Sequence, residues 1–508
     1  MKDTRKASRI LTAILAAAMM TSLAACGGDA GVTETADPAE TTAPAETTEY
    51  VDPATISSLP DMDWGGQECR ILGYNNTKYP QFSSFEIDVE AENGEVVNDA
   101  IFRRNTAIEE RYNVDIVQIL DATTTATLTS TLTHMRAMAL AGEDLYDIAF
   151  CSVNSIGTAA REGLFWDLNE LDYLDFSKEW WNQGVNETLT VSGRLFFTNS
   201  DFTLRDKNRT YLLLFNKRLA EEYKLDNYFD LVREGTWTLD KMTEDCKKVA
   251  NDVNGNGEVD YYDVFGMTMD SYYGGVALAI GSGVKVLENV EGEFSLVVNN
   301  EHTINVMDDV ISFITGARLG SSCEEWKEKN IPLDDYWDFS GTVYNEGRAL
   351  FGTGFAHVLQ GKSANSVDDY GILPFPKYDE TQKDYHIYAD PQGLLVGIPS
   401  TTDTPDFSAF MLEALSAEAY TTSLPAYIEV SCKTKYTYDE DSADMLDLIF
   451  GSIVFEPAQI YNLAGVGKIL HDVCNSRTNS FVTKYASSES QAKADLEKLV
   501  DDILAVGK

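Results

Sequence analysis

Residues 252 to 263 read Asp-Val-Asn-Gly-Asn-Gly-Glu-Val-Asp-Tyr-Tyr-Asp, with oxygen-bearing side chains at the first, third, fifth, ninth and twelfth places and glycine at the sixth. Calcium takes six to eight hard oxygens, and a twelve-residue loop with a sharp turn at its sixth residue lets them converge on one ion. The spacing nominates Asp252, Asn254, Asn256, Glu258 and Asp263 as ligands of a structural calcium ion. The twelfth residue is Asp263 where a longer Glu is more usual. An ordinary Asn/Gly turn after a helix is the competing reading.

Residues suited to acid-base or covalent chemistry are present but not grouped. His134, His302, His357, His386 and His471 stand apart, and no G-x-S-x-G, H-E-x-x-H or phosphate-cradling G-x-x-x-x-G-K-[ST] occurs. No enzymatic activity and no catalytic cofactor are expected. Glycoside hydrolysis needs only two carboxylates, and 82 acidic residues leave such a pair open.

The amino terminus sets the location of the rest of the chain. Lys2, Arg5, Lys6 and Arg9 precede an apolar run, Ile10 to Met20, and Leu23-Ala24-Ala25 leads to Cys26. A basic start, a short apolar run and small residues before a cysteine read as a lipoprotein signal peptide over residues 1–25, with Cys26 expected to be the acylated, palmitate-bearing residue; an ordinary cleaved secretion signal with an incidental cysteine is the competing reading. The run is too short to stay in a bilayer as a spanning helix. Residues 27–60 hold seven acidic residues and no Lys or Arg, and are rich in Thr, Ala and Pro. They lack the apolar side chains to fold and are expected to be a disordered tether. The expected location is the outer side of the cell membrane, held by lipid.

A formal charge of −43 over 508 residues repels phosphate backbones and anionic headgroups, so nucleic acid is not an expected partner. Cys69, Cys151, Cys246, Cys323, Cys432 and Cys474 are widely scattered with no C-x-x-C, and are expected to be buried free thiols.

Elements that could position a site emerge from periodicity. Cys69 to Tyr74 reads as a strand, Asn98 to Tyr112 as a helix closed by Asn113, Val114 to Leu120 as a strand, Thr125 to Ala141 as a helix and Asp147 to Phe150 as a third strand. Alternation of this kind predicts an α/β lobe with a mainly parallel sheet, and ligands gather at the carboxyl ends of such strands. The short polar stretch Cys151 to Ser155 would be the loop at that edge. Leu239, Met242, Cys246 and Val249 mark a helix that Thr238 can cap, and the chain ends in another helix carrying Ala492, Leu496, Leu499, Ile503 and Leu504 on one face. Nearly 450 residues after the tether suggest two lobes.

Several segments, taken in order, resemble the extracellular solute-binding proteins of carbohydrate ABC importers, the maltodextrin-binding kind. They are Asn98 to Asn105 with Ile108 to Val114, Ala141 to Ile148 with Gly163 to Leu168, Tyr211 to Lys217, Thr236-Trp237-Thr238, Phe351 to Gly354, Tyr370 to Pro376, Gly393 to Pro399, and the helix Phe407 to Tyr420. The resemblance implies a type II periplasmic-binding-protein-like fold, with two α/β lobes, each a mainly parallel sheet flanked by helices, and a ligand cleft between them. The implied boundaries are 61–203 plus 352–404 for lobe 1 and 204–351 plus 405–508 for lobe 2. Tyr370 to Pro376 is expected as a first-lobe strand and Phe407 to Tyr420 as a return to the second lobe.

The resemblance also carries site residues by position. It implies Ser152, Asn154 and Ser155 after the third strand, and Asp201, Arg205, Asp206 and Arg209 on the first crossing between lobes. Those four could be cleft donors and acceptors or a hinge salt-bridge network. Tyr272 and Tyr273, beside the glycines Gly274 and Gly275, could stack on a sugar ring, and Tyr388, Asp390, Gln392 and Tyr461 come from segments further along the chain. Trp180, Trp181 and Trp337 are further aromatic candidates, with core packing the default for any one of them. The implied function is capture of a sugar or oligosaccharide by a monomeric lipoprotein that delivers it to the transmembrane subunits of an ABC permease. A receptor for a sensor kinase and a lipid-tethered glycosidase are the alternatives.

Overall fold

The computed structural model describes residues 57–76, 83–120, 130–328, 339–359, 366–434, 437 and 439–506. The signal peptide, Cys26, nearly all of the tether, residues 125–129 of an expected helix and Trp337 lie outside the described residues. Three strands come first: β1 (Gln67–Gly73), β2 (Val114–Leu120) and β3 (Ile148–Ser152). Next are β4 (Tyr211–Asn216), β5 (Phe265–Met269), the hairpin β6 (Leu287–Val290) and β7 (Glu293–Leu296), and β8 (Gly320–Ser322). The last are β9 (Ala349–Phe355), β10 (Tyr370–Leu373), β11 (Ile387–Tyr388), β12 (Leu394–Gly397) and β13 (Ile453–Val454).

They build two bodies. The first sheet runs β12-β3-β1-β2, with β1 parallel to β2 and β3 and β12 antiparallel to β3. The second runs β10-β4-β9-β5-β8, with β5 parallel to β8 and β9, and β4 antiparallel to β9 and β10. Every residue of β3, β4 and β5 is buried. Sheets covered on both faces by helices require such continuous apolar runs rather than alternation.

Local chemistry sets the helices as expected in several places. The helix Val96–Tyr112 starts where Glu95 accepts from the N–H groups of Val97 and Asn98 and ends where Asn113 turns left-handed at φ 50°. Its buried face includes Val97, Ile101, Ile108 and Tyr112. Thr238 Oγ1 accepts from Lys241 N at 3.3 Å and caps the helix Leu239–Val249. A side-chain cap of this kind is worth about 1 kcal/mol. All six described cysteines are buried and unpaired.

Tertiary packing revises the expected lobe boundaries. β10 was expected in the first lobe, but it pairs with β4 of the second sheet from Tyr370↔Asn216 to Leu373↔Leu213. Gly371 permits this, because a Cβ there would come within 2.1 Å of the Phe215 ring. The helix Pro405–Thr421, expected with the second lobe, packs Phe407 and Phe410 into the first core, 5.0 and 5.3 Å from Trp64. The chain therefore stays in the second body through β9 and β10, and re-enters the first at β12. β11 and β13 pair in parallel as a separate two-stranded sheet. The segment Ala426–Thr434 packs on both the helix Val96–Tyr112 and the helix Glu440–Gly451. The expected loop Cys151–Ser155 is absent as well. β3 runs through Ser152 into a helix beginning at Val153, with Ser152 extended at the junction.

Candidate functional site

The carboxyl edges of the two sheets face each other through the segment 390–393. Leu394 pairs with Ser152 at the end of β3, and Val153 N donates to Gly393 O at 3.0 Å, which fixes 390–393 at the edge of the first sheet. Tyr273 lies just beyond the carboxyl end of β5 in the second sheet. Gln392 Nε2 donates to Tyr273 Oη at 3.3 Å, joining the two edges.

An ion pair forms the floor. Arg209 Nε donates to Asp390 Oδ2 at 2.6 Å and Nη2 lies 2.5 Å from the same oxygen, with both side chains nearly fully buried. The Arg209 guanidinium carbon sits 3.7 Å from the centre of the Phe355 ring, a cation–π contact that Lys could not make with the same planar fit. Asp390 Oδ1 accepts from Gln392 N at 2.9 Å, so the pair also holds the backbone that presents Gln392.

Half-buried aromatic faces stand over this floor. Tyr273 and Phe355 meet edge to face at 5.4 Å, Tyr272 and Tyr273 at 5.0 Å, and Phe355 stacks on His357 at 5.8 Å. Tyr211 Oη donates to Asp270 Oδ2 at 2.8 Å and lies 2.5 Å from Thr353 Oγ1. Burial pushes the Asp270 carboxyl up to about 6, against bonds from Tyr273 N and Tyr211 that pull it down. Burial pulls His357 and His471 down to about 4, so both rings are neutral at pH 7. The arrangement offers stacking faces beside fixed donors and acceptors.

The nominated residues fall into three groups. Asp390, Arg209, Gln392, Tyr272 and Tyr273 are brought together. Asp201 and Asp206 instead flank Lys207, at 3.9 and 3.3 Å, and Arg205 reaches Ser83 O and Gln392 O. Asp201, Asp206 and Lys207 thus form a charge cluster of their own on the crossing, while Arg209 pairs with Asp390. The rest are turned inward. Ser152 Oγ and Ser155 Oγ bond each other at 2.9 Å, both buried, while Asn154 is half-buried and its carbonyl accepts from Asn462. Tyr461 is 1% exposed and donates to Leu189 O, and Tyr388 is bound to Gln459 and His471. Trp180 and Trp181 are core residues, and Trp181 Nε1 donates to Glu413.

Gly274 and Gly275 serve close packing rather than flexibility. They are helical and buried, and a Cβ would come within 2.7 Å of Met269 Sδ and 2.8 Å of Cys474 Cβ. Phe355, His357, Tyr211 and Asp270 were not among the nominated residues. Asp270 and Phe355 sit at or immediately after the carboxyl ends of β5 and β9, the one sequence signal that points to them.

The loop 252–263 lies on the surface of the second body, its base closed by the Asn251↔Val264 bridge. Gly257 takes φ +78°, Asp252 Oδ2 accepts from Gly257 N at 2.7 Å, and Asn254 Oδ1 and Asn256 Oδ1 accept from Asn256 N and Glu258 N. Asn254 and Asn256 both donate through Nδ2 to Asp260 Oδ2, at 2.7 and 2.9 Å. Asp263 is fully buried, and its Oδ1 has no hydrogen-bond partner among the described residues. Among the described residues no three His, Cys, Asp or Glu side chains gather as a metal site, and within the loop Asp252, Asp260 and Asp263 accept backbone, amide and guanidinium hydrogens instead.

Searches of sequence found no matching family model and no matching curated protein. Comparison of folds found many solved structures. A cyclo/maltodextrin-binding protein complexed with maltotetraose aligns at 14% identity over 89% of this chain and 100% of that one, with a TM-score of 0.52. UspC of M. tuberculosis aligns at 11% identity over 84% of this chain and 100% of its own, TM-score 0.53. A sugar transporter protein of Rhizobium etli, in an open conformation, aligns at 12% identity over 86% and 99%, TM-score 0.52.

Proposed function

We propose that the chain, whose two-lobed, type II periplasmic-binding-protein-like fold is shared with a cyclo/maltodextrin-binding protein and a sugar transporter, is a receptor that captures a sugar or oligosaccharide between its lobes. The observation that carries the proposal is the interlobe floor of Arg209, Asp390 and Gln392 beneath Tyr272, Tyr273 and Phe355. Sugars present hydroxyls around a weakly apolar ring. They need fixed, planar hydrogen-bonding groups next to aromatic faces, in a site that closes over them.

The residues divide the work. Phe355 and Tyr273 supply ring faces, and Gln392 has amide atoms to offer hydroxyls once lobe movement loosens its 3.3 Å bond to Tyr273. The Arg209–Asp390 pair fixes Gln392 and joins the crossings, so it positions the site and transmits closure. The chain binds without turning over its ligand. Cys26 carries the lipid anchor outside the cell, and the bound sugar passes to the transmembrane subunits of an ABC permease.

Isothermal titration of the chain lacking residues 1–25 against mono- and oligosaccharides tests the receptor reading. Binding to a related set of glycans, lost in Tyr273→Ala and Phe355→Ala and without product formation, is expected. Binding only to amino acids or peptides would overturn the ligand class, and glycan cleavage would overturn the receptor. Labelling cells with a palmitate analogue tests the anchor, with label expected on the full chain and absent from Cys26→Ala.

A further inference from the structure

Tyr273 and Phe355, the two ring faces of the interlobe floor, come from different strands of the second sheet, and one buried tyrosine joins them. Tyr211 begins β4 and pairs with Phe355 at the end of β9, with ring centres 5.0 Å apart. Its ring lies 6.0 Å from that of Tyr273 and stacks on Phe375 at 5.7 Å. Its hydroxyl reaches both strands, donating to Asp270 Oδ2 at 2.8 Å and lying 2.5 Å from Thr353 Oγ1. Thr353 precedes Phe355 by two residues and so shares its face of β9. Asp270 completes the link to Tyr273. The helix Tyr273–Gly281 receives no side-chain cap from Tyr272. Instead Asp270 Oδ1 accepts from Tyr273 N, and Asp270 O accepts from Gly274 N at 3.0 Å. A negative charge at this end of the helix also gains from the helix dipole.

On the receptor reading, on which this rests, we propose that Asp270 and Tyr211 are positioning residues: they fix the Tyr273 ring relative to the Phe355 ring, and the fixing depends on the charge of the Asp270 carboxylate. Hydrogen bonds to an ionised acceptor are about twice as strong as those to a neutral one. No ion pair to Asp270 forms among the described residues. Glu324 accepts from Ser271 N and Oγ at 2.9 and 2.7 Å and adds like charge beside it. Burial pushes the Cys323 thiol and the Tyr211, Tyr272 and Tyr273 hydroxyls up, so all four are neutral at pH 7. With its carboxyl raised by burial to about 6, Asp270 grips Tyr273 N and Tyr211 at pH 8 and loosens both at pH 5. Glycan capture, which needs the rings in place, favours the ionised form, so affinity rises with pH through this range. Stability of the empty protein moves the other way, because an acid with a raised folded value stabilises the native state at low pH.

The test is calorimetry at pH 5 and pH 8 on the chain lacking residues 1–25, with the tightest binder from a panel of mono- and oligosaccharides as probe. Wild type is expected to bind about fivefold more tightly at pH 8 than at pH 5. Weaker binding at pH 5, where the empty protein melts higher, separates positioning from unfolding. Asp270→Asn, a neutral isostere of the protonated acid, is expected to bind at both pH values as wild type does at pH 5. Tyr211→Phe removes a bond that pulls the Asp270 carboxyl down, so the midpoint of its pH profile is expected to move up. Asp270→Asn binding as tightly as wild type at pH 8 would overturn the positioning role and leave the receptor standing. If Asp270→Asn does not fold, Tyr211→Phe decides, and an unshifted midpoint overturns the role. If no glycan binds wild type at either pH, the receptor reading fails and amide exchange decides the positioning by itself. Faster exchange of the Tyr273 and Gly274 amides in Asp270→Asn or Tyr211→Phe supports it, and unchanged exchange overturns it.

Discussion

The crossing segment 199–210 and the loop 252–263 have similar sequences in one respect: both are short, rich in charged side chains and joined to a regular element. Their electrostatics are opposite. On the crossing, Asp206, Lys207 and Arg209 are buried and Asp201 nearly so. Burial pushes Asp201 up to about 7, with Lys207 pulling it down and Asp206 pushing it further up. In the loop, Asp260 is half-buried and held below its ordinary value by bonds from Asn254 and Tyr262 N. The loop pairs its buried Asp263 with Arg318 and leaves Glu258 exposed, whereas the crossing must balance its charge among buried groups. Charge density in a sequence therefore says nothing about function until burial is known.

The largest expected contrast comes from breaking one ion in each region. Arg209→Ala leaves Asp390 charged and buried without its partner, and should cost about 3–5 kcal/mol in urea unfolding. A loss below about 1 kcal/mol would mean the crossing is as well hydrated as the loop, and the comparison would fail.

Next is the response to pH. An acid whose folded pKa lies above its unfolded value keeps a proton in the native state that the unfolded chain has already released. Stability then falls as pH rises from near the unfolded value of 3.8 for Asp201 to its folded value of about 7, and levels off above that. Glu413, raised by burial to about 7, and Asp270, raised to about 6, act in the same direction. Melting temperature is expected to be higher at pH 5 than at pH 8, and Asp201→Asn should flatten the decline. An unchanged slope in Asp201→Asn would place Asp201 in water.

A smaller effect separates backbone from charge. Gly257→Ala forces a side chain onto φ +78° with no atom within 4 Å to clash, so it should cost only the conformational term of about 1 kcal/mol. Least of all is the effect of salt. Raising sodium chloride from 0.15 to 1 M should reduce the coupling between Asp260 and Asn254 in a double-mutant cycle by a few tenths of a kcal/mol. The Arg209–Asp390 coupling should barely change, because buried pairs are screened much less.

Much of the local structure was legible in the sequence. The strand Phe265–Met269, the Thr238 cap, the left-handed close at Asn113 and the turn chemistry around Gly257 each depend on neighbours a few residues away. The site was legible in part. Asp390, Gln392, Arg209, Tyr272 and Tyr273 were named, but Ser152, Ser155 and Tyr461 turned out to be buried behind the sheet edge, and Phe355 and Tyr211 were missed. Tyr461 and Tyr273 cannot be told apart by residue type; one packs against Phe197 and donates to Leu189 O, the other faces Gln392.

The sequence by itself determined the α/β class, the helix ends, the spacing of loop oxygens and the net charge of −43, because each is a property of residue types and short separations. Tertiary structure decided the rest. It set β10 beside β4, sent the helix Pro405–Thr421 to the first core, joined Arg209 to Asp390 across 181 residues of chain and brought Arg318 to Asp263. Pairings of that range depend on which surfaces exclude water together and which buried charge finds a partner, and those quantities exist only once the chain has closed on itself.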